Sequence, residues 1–179
     1  MQIMHGWLLR DDTQSWTVGG IAIDPATKTR REEYNWVLDK IDRYGWSVLD
    51  AAAGYIPRWH ELPTMLSNKG YSVTACDFDD SSLKMPHIRG VIRQLADITK
   101  LPFADKSFDI SCCISVLEHM ESEHMQMAAN ELIRVTQGQI LITADNGWWL
   151  PSLFGEACFI STPAVPALNP PVYKMEITL

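Results

Sequence analysis

The alternation of short apolar runs with segments of helical periodicity constrains the fold of this chain more than any other feature. The apolar runs have the length and composition of buried strands and cover residues 46–53, 71–76, 108–115 and 139–144, with a weaker run at 91–95. Segments with apolar residues at helical spacing lie between them and cover residues 31–44, 59–68 and 122–135. Strands that alternate with helices in this way predict parallel strands joined by right-handed crossovers, and therefore a Rossmann-like three-layer α/β sandwich.

Both ends of the chain depart from this alternation. Residues 172–179 alternate apolar with polar side chains, which predicts one more strand, antiparallel to the others at the C-terminal side of a mostly parallel sheet. Residues 1–30 contain three glycines and two tryptophans and predict either a hairpin or a loosely ordered arm. We therefore divide the chain into an arm or lid at 1–30 and one domain at 31–179. On the helix at 122–135 we expect Met127, Ala128, Leu132 and Val135 to share the apolar side.

Charge and hydropathy exclude several classes of function. A net charge of −7 and a pI of about 5.1 disfavour a nucleic-acid surface, which needs clustered Lys and Arg. The densest basic group, Lys28 with Arg30 and Arg31, is followed by Glu32 and Glu33 and indicates a solvated helix start. No apolar stretch approaches the roughly 20 residues that span a bilayer, and the N-terminus lacks a leader pattern. We expect no membrane partner and a cytoplasmic location.

The cysteines and histidines show no metal-ligand spacing. The four cysteines form no C-x-x-C pair, and the adjacent Cys112 and Cys113 point to opposite faces if they lie in a strand. The five histidines have no companions at ligand spacing. We therefore expect neither a metal site nor a disulfide.

Acidic residues follow three successive predicted strands. Asp50, Asp77 and Asp97 each fall at or just beyond a strand end, and ligands in parallel α/β sheets bind beyond the carboxyl ends of the strands. A carboxylate after the second strand can accept hydrogen bonds from both hydroxyls of a ribose, which makes Asp77 the candidate for that contact. The small-residue turn 51–54 permits close approach of backbone to a ligand, although close packing of a helix on a strand explains such a run equally well.

Three segments of the chain resemble the class I S-adenosylmethionine-dependent methyltransferases, in particular the group that contains ubiquinone-pathway and small-molecule methyltransferases. The segments are VLDAAAG at 48–54, VTACDF at 73–78, and ADITKLPFADKSFD at 96–109 running on to VLEH at 116–119. The third is the most specific because its short motifs occur in the family's order and spacing. The resemblance covers roughly residues 46–145.

The resemblance implies S-adenosylmethionine as the cofactor and assigns residues to its parts. It places the methionine portion at the turn formed by Asp50, Ala51, Ala52 and Gly54. It places the ribose at Asp77, the adenine beside Phe78, and the adenine edge at Asp97 and the backbone of Ile98. Ile114, at the end of the strand 108–115, completes the expected cofactor-binding set.

The first of these segments departs from the family's three alternating glycines. This chain has Ala52, Gly54 and Ile56 at those positions, so the middle glycine alone is kept. Ala52 adds one methyl group, which we expect to be tolerated. Pro57 after Ile56 is favourable at a first helical position, so we expect a rearranged helix start.

Methyl transfer is a direct displacement, so the protein has to align the acceptor and, for an alcohol or amine, remove a proton. No nucleophile motif is needed and none is present. His119, with Glu118 beside it, is the candidate catalytic base, although the same pair can simply form the strand-to-helix connection. Trp148 and Trp149 can line an acceptor pocket, be buried in the core or face a partner.

The sequence thus predicts a methyltransferase that acts on a small-molecule acceptor. A nicotinamide-dependent oxidoreductase is disfavoured because G-x-G-x-x-G is absent after Asp50 and a carboxylate there would lie badly beside a pyrophosphate. A methyltransferase-like binding protein without catalysis is the other alternative. Several tryptophans fall outside the matched segments, so we expect the two ends of the chain to close over the acceptor or to form a homodimer contact.

Overall fold

A computed structural model describes residues 16–18, 21–23, 25–54, 61–84, 87–154, 158–162 and 172–179. The strands are β1 Trp16–Val18, β2 Ile21–Ile23, β3 Ser47–Ala51, β4 Ser72–Asp77, β5 Val91–Leu95, β6 Phe108–Ile114, β7 Thr136–Asp145, β8 Cys158–Thr162 and β9 Val172–Thr178. The helices are α1 Pro25–Lys40, α2 Glu61–Asn68, α3 Ser122–Val135 and α4 Leu150–Leu153. Short 3-10 turns cover Asp80–Lys84 and Leu117–His119.

Strands β3 to β9 form one sheet in the order β5-β4-β3-β6-β7-β9-β8. The pairings from β5 across to β7 are all parallel. Strand β9 pairs antiparallel with β7 on one side and with β8 on the other, so it is the strand of reversed direction. This topology confirms the mostly parallel sheet with an antiparallel C-terminal strand. Strands β1 and β2 form a separate antiparallel hairpin.

Two apolar clusters, one on each face of the sheet, form the core. Helices α1 and α2 contribute Tyr34, Val37 and Leu66 to the first cluster, where they pack with residues of β3, β4 and β6. Helices α3 and α4 contribute to the second cluster on the opposite face. Cys112 belongs to the first and Cys113 to the second, which confirms that they point to opposite faces. The sheet is therefore the middle layer of three.

Some predicted elements have the observed bounds, whereas others are shifted by a few residues or were missed. The strand 91–95 and the helix 122–135 are confirmed residue for residue. Helix α1 covers Pro25–Lys40 instead of the predicted residues 31–44, so it begins and ends earlier in the chain than predicted. Met127 is 42% exposed, and the buried side of α3 consists of Ala128, Ala129, Leu132 and Val135. Strand β8 was not predicted, because prolines dominate the sequence around it.

The segment between β5 and β6 is held by α3. The guanidinium of Arg134 donates to the carbonyls of Leu101 at 2.9 Å and Phe103 at 2.8 Å, and to the carboxylate of Asp105 at 2.8 Å. The backbone N–H of Leu101 donates to Glu131 at 2.7 Å, and Glu131 pairs with Arg134. One helix face thus satisfies the backbone groups of a connection that has no regular structure of its own. This connection carries the most family-specific motif of the sequence.

Candidate functional site

The strand order reverses between β3 and β6, which places a crevice at their carboxyl ends. The chain moves outward from β3 through β4 to β5, and then returns to the other side of β3 with β6. At such a reversal the connections leave in opposite directions and open a crevice where ligands of α/β proteins bind. Three segments reach this edge: the turn 51–54 after β3, Asp77 at the end of β4, and Ile114 at the end of β6.

The turn after β3 has an unusual backbone conformation. Ala52 has φ +57° and Gly54 has φ +78°, both in the left-handed region. The N–H of Ala53 donates to the carbonyl of Cys76 at 2.9 Å and anchors the turn to β4. Since a residue with a Cβ loses roughly 1–2 kcal/mol in this conformation, the alanine at position 52 is a strained substitute for glycine. We expected Ala52 to be tolerated because it adds only one methyl group, but that expectation did not include the strain of the left-handed backbone.

Asp77 closes the turn onto β4. Its side chain is 6% exposed, and its two carboxylate oxygens accept the N–H of Gly54 at 2.8 Å and the N–H of Asp79 at 3.0 Å. Each oxygen keeps a second lone pair that can accept a hydroxyl. Phe78, the next residue, is 80% exposed at the same edge. Asp77 therefore has a structural role that the sequence did not reveal, in addition to the ribose contact predicted for it.

Asp50 lies at the end of β3 and is 3% exposed. Burial raises the pKa of this carboxyl to about 7, while Arg30 and Arg93 act to lower it and Asp77 acts to raise it. Among the described residues no group donates a hydrogen bond to its carboxylate. A buried acid in this state near neutral pH is common at ligand sites, where a cationic or hydrogen-bonding ligand supplies the missing partner.

Asp97 and Ile98 follow β5 at the same edge of the sheet. The N–H of Ala96 donates to the carbonyl of Asp77 at 2.8 Å, which joins this segment to the end of β4. The Asp97 carboxylate is exposed and accepts the backbone N–H and the hydroxyl of Thr99, both at 2.8 Å. These two bonds lower the pKa of Asp97. Ile98 is buried.

A buried polar network that the sequence did not predict joins α1 to the ends of β6 and β7. Glu33 is 1% exposed, accepts the hydroxyl of Ser115 at 2.6 Å and the hydroxyl of Thr143, and pairs with Arg30 at 3.0 Å. Arg30 also donates to the carbonyl of Ile114 at 2.9 Å. From the sequence we interpreted Arg30 and Glu33 as part of a solvated helix start. Their position on the apolar side of helix α1 is the signal that could have predicted their burial.

His119 and Glu118 follow β6 in a 3-10 turn. The His119 side chain is exposed, whereas Glu118 is half-buried and its carboxylate accepts the N–H of Asp145 at 3.1 Å. Burial raises the pKa of Glu118. Trp149 packs against the core, and Trp148 is 74% exposed. Glu118 and Trp149 are thus held by contacts within the domain, whereas their neighbours His119 and Trp148 are exposed.

Some predicted features lie outside the described residues. Ile56 and Pro57, the altered end of the first motif, belong to this group, as do Trp7 and residues 1–15 of the arm. Within the described ranges, no group of three or more His, Cys, Asp or Glu side chains could hold a metal ion. No helix in the described part of the chain is long and apolar enough to cross a membrane.

Comparison with known proteins supports one family. Residues 59–142 match the model of a methyltransferase domain. Over 148 residues, which are 76% of this chain, the sequence is 31% identical to demethylmenaquinone methyltransferase of Paenarthrobacter aurescens (strain TC1). These matches support a domain of the class I S-adenosylmethionine-dependent methyltransferase family. The chain covers 56% of the length of that relative, so it spans about half of the protein that it matches.

Solved structures show the same fold. A Pyrococcus horikoshii OT3 protein (PH0226) superimposes with a TM-score of 0.68 at 18% identity, covering 87% of this chain and 92% of its own. Magnesium protoporphyrin IX methyltransferase of Synechocystis PCC 6803, solved with bound SAM, superimposes with a TM-score of 0.65 at 14% identity, covering 86% and 79%. The methyltransferase domain therefore has the family's Rossmann-like fold, and S-adenosylmethionine is the cofactor of the family.

Proposed function

We propose that this domain transfers the methyl group of S-adenosylmethionine to a small-molecule acceptor, with the cofactor at the β3–β4–β6 crevice. The observation that carries the proposal is the carboxylate of Asp50, which is buried at the strand reversal with no hydrogen-bond donor among the described residues. Beside it, the turn 52–54 is closed onto Asp77 by the 2.8 Å bond from Gly54. A buried carboxyl group in a crevice, with its pKa raised by burial, is typical of a site for a ligand that has a cationic or hydrogen-bond donor group.

The residues present fit such a cofactor. Asp50 and the turn 51–54 offer a negative charge and close backbone to the amino-acid part. Asp77 offers two oxygens with remaining acceptor capacity to the ribose hydroxyls. Phe78 offers an exposed ring to the adenine, and Asp97 with the backbone of Ile98 lies beyond it along the sheet edge. Ile114 forms the wall on the β6 side.

The cofactor supplies, when bound, a methyl group activated by a sulfonium that leaves by direct displacement. The protein then has to hold the acceptor in line and exclude water. Where the acceptor loses a proton, His119 is the proposed proton acceptor because its imidazole is exposed on the ligand side of the sheet. Glu118 is less suited, since its carboxylate is bonded to the N–H of Asp145.

Small-molecule acceptors are favoured by the relatives. The sequence relative is named for demethylmenaquinone, and the Synechocystis structure is named for magnesium protoporphyrin IX. Each of these molecules contains a flat aromatic ring system, for which the exposed ring of Trp148 offers a stacking surface. A homodimer, the absence of nucleic-acid partners and the cytoplasmic location remain predictions from the sequence.

Turnover with a labelled methyl group tests the proposal. The full chain is incubated with S-adenosylmethionine carrying a radioactive methyl group and with demethylmenaquinone, magnesium protoporphyrin IX or a panel of aromatic alcohols and amines. Radioactivity should pass to an organic-extractable product, and His119→Ala should lower the rate by about 10²-fold or more if a proton is removed in the rate-limiting step. Transfer that is unchanged in His119→Ala contradicts the base assignment. Absence of transfer to every acceptor, with the cofactor bound, would instead support the inactive binding protein.

A further inference from the structure

Arg93 lies in the middle of the edge strand β5 and faces Asp50 across β4. In the parallel register Asp50 is opposite Ala75, and Ala75 is opposite Arg93. Residues paired in this way project from the same face of the sheet, and neighbouring strands are about 4.8 Å apart. Ala75 is buried and has only a methyl group, which leaves room for the long arginine side chain over β4. The register therefore brings an arginine and an aspartate to one face of the sheet.

Two of the three guanidinium nitrogens of Arg93 are buried without partners. They are Nε and Nη2, and neither has a hydrogen-bond partner among the residues that the structure describes. Helix α2 packs against β4 and β5 on this face of the sheet. Burial lowers the pKa of Arg93, and the charge of Asp50 opposes that effect. A buried cation without hydrogen bonds is costly and persists where a nearby charge or ligand compensates it.

Several charged or titratable groups of the described elements act on Asp50 beside Arg93. They are Arg30 of α1, Asp77 and Cys76 of β4, and Cys112 and Cys113 of β6. Arg30 favours the ionised form of Asp50 more strongly than Arg93 does, and it also pairs with the buried Glu33. Asp77 acts in the opposite sense. Arg93 is the cation on this face that no described carboxylate pairs directly.

We propose that Arg93 is a positioning residue that, together with Arg30, favours the ionised form of Asp50 across β4, so that the cofactor crevice gains negative charge near neutral pH. The proposal rests on the proposed function insofar as Asp50 contacts the cofactor. It assigns a role to a charged residue of the edge strand β5, which is separated from the strand of Asp50 by β4. The sequence signal is the pattern Val91, Arg93, Leu95, in which a charge occupies a position on the apolar side of a strand.

The experiment measures Asp50 directly. Protein labelled with ¹³C at the aspartate carboxyls is titrated by NMR, and the Asp50 signal is assigned by its loss in Asp50→Asn. At a separation of roughly 8 Å under an effective dielectric constant near 20, removing one charge should raise the titration midpoint of Asp50 by about 1.5 pH units in Arg93→Met. Arg93→Lys should restore a midpoint close to that of the wild type. The matched control is Arg89→Met, which removes an exposed arginine just before β5 and should leave the midpoint unchanged.

Calorimetric titration with S-adenosylhomocysteine across pH 6–8.5 provides the functional reading. In Arg93→Met the affinity should fall about 15-fold at pH 7, in proportion to the ionised fraction of Asp50, and approach the wild-type value at high pH. An Asp50 midpoint that is the same in Arg93→Met and wild type overturns the proposal. Arg93→Gln gives the same comparison if the methionine variant does not fold. If the wild type binds no S-adenosylhomocysteine at any pH, the proposed function fails, whereas the NMR midpoints still decide the role of Arg93.

Discussion

Replacing Asp77 by alanine removes the group that both closes the turn after β3 and is proposed to hold the ribose. In the structure the carboxylate is 6% exposed and accepts the backbone N–H of Gly54 at 2.8 Å and that of Asp79 at 3.0 Å. Both bonds are charge-assisted. The variant therefore leaves two backbone donors to find water at the edge of the crevice.

The expected magnitudes differ for folding and for binding. Hydrogen bonds to a charged group contribute roughly 1.5–3 kcal/mol each, but both N–H groups lie near solvent, so we expect the free energy of unfolding to fall by only about 1–3 kcal/mol. Loss of the ribose contacts should weaken cofactor binding by about 1.5–3 kcal/mol, which is one to two decades in Kd. Asp77→Asn keeps one carbonyl acceptor and should lie between alanine and wild type in both quantities.

Calorimetric titration with S-adenosylhomocysteine, together with urea unfolding on the same samples, gives both numbers. The control is Asp80→Ala, which removes a carboxylate of equal charge that is exposed and pairs with Lys84. It should change neither Kd nor stability by more than about 0.5 kcal/mol. An unchanged Kd in Asp77→Ala with an intact circular dichroism spectrum would refute the ribose assignment and the role of the crevice.

Three further variants probe other parts of the site. The native state keeps a proton on Asp50 up to about pH 7, whereas the unfolded chain loses it near pH 3.9. The free energy of unfolding of the wild type, relative to that of Asp50→Asn, should therefore fall by about 1.4 kcal/mol per pH unit between pH 5 and 7 in urea unfolding. A difference that is constant with pH would contradict this. Ala52→Gly should raise the free energy of unfolding by about 0.5–1 kcal/mol in thermal and urea melts, since φ is +57°; a loss of stability would show that the turn is unstrained. Arg134→Met should lower the free energy of unfolding by about 2–4 kcal/mol and speed amide exchange in residues 101–105. Arg31→Met, which removes an exposed arginine, is the control. Unchanged exchange in Arg134→Met would mean that α3 does not hold the connection between β5 and β6.

Helix α3 was predicted well because its buried residues Ala128, Leu132 and Val135 follow the helical period. Strand β5 was predicted with the observed bounds although Ile92 and Leu95 are exposed, because β-branched residues such as Val91 and Ile92 favour a strand. Helix α1 was predicted to begin six residues too late, since the stretch 25–30 has no apolar pattern at helical spacing. Its start could have been found from Asp24 and Pro25, because an aspartate followed by proline is typical of a helix N-terminus.

The sequence predicted the carboxylates at the strand ends of the candidate site but not the buried charged residues behind them. Asp50 and Asp77 could be placed because a strand end is visible in the sequence and parallel strands end together. The roles of Arg93 and Glu33 depend on which residues face each other across strands and helices, and that register is a property of the tertiary structure. The left-handed conformation of Ala52 could not be predicted for a different reason, because alanine is not a residue type that indicates a positive φ.

Binding of S-adenosylhomocysteine to the wild-type chain, measured by isothermal titration calorimetry beside an identical titration with NAD, tests the central claim most directly. The account predicts one S-adenosylhomocysteine site per chain, lost or weakened by one to two decades in Asp77→Ala, and no heat of binding with NAD. A folded protein that binds NAD, or that binds S-adenosylhomocysteine equally well with and without the Asp77 carboxylate, would contradict the account.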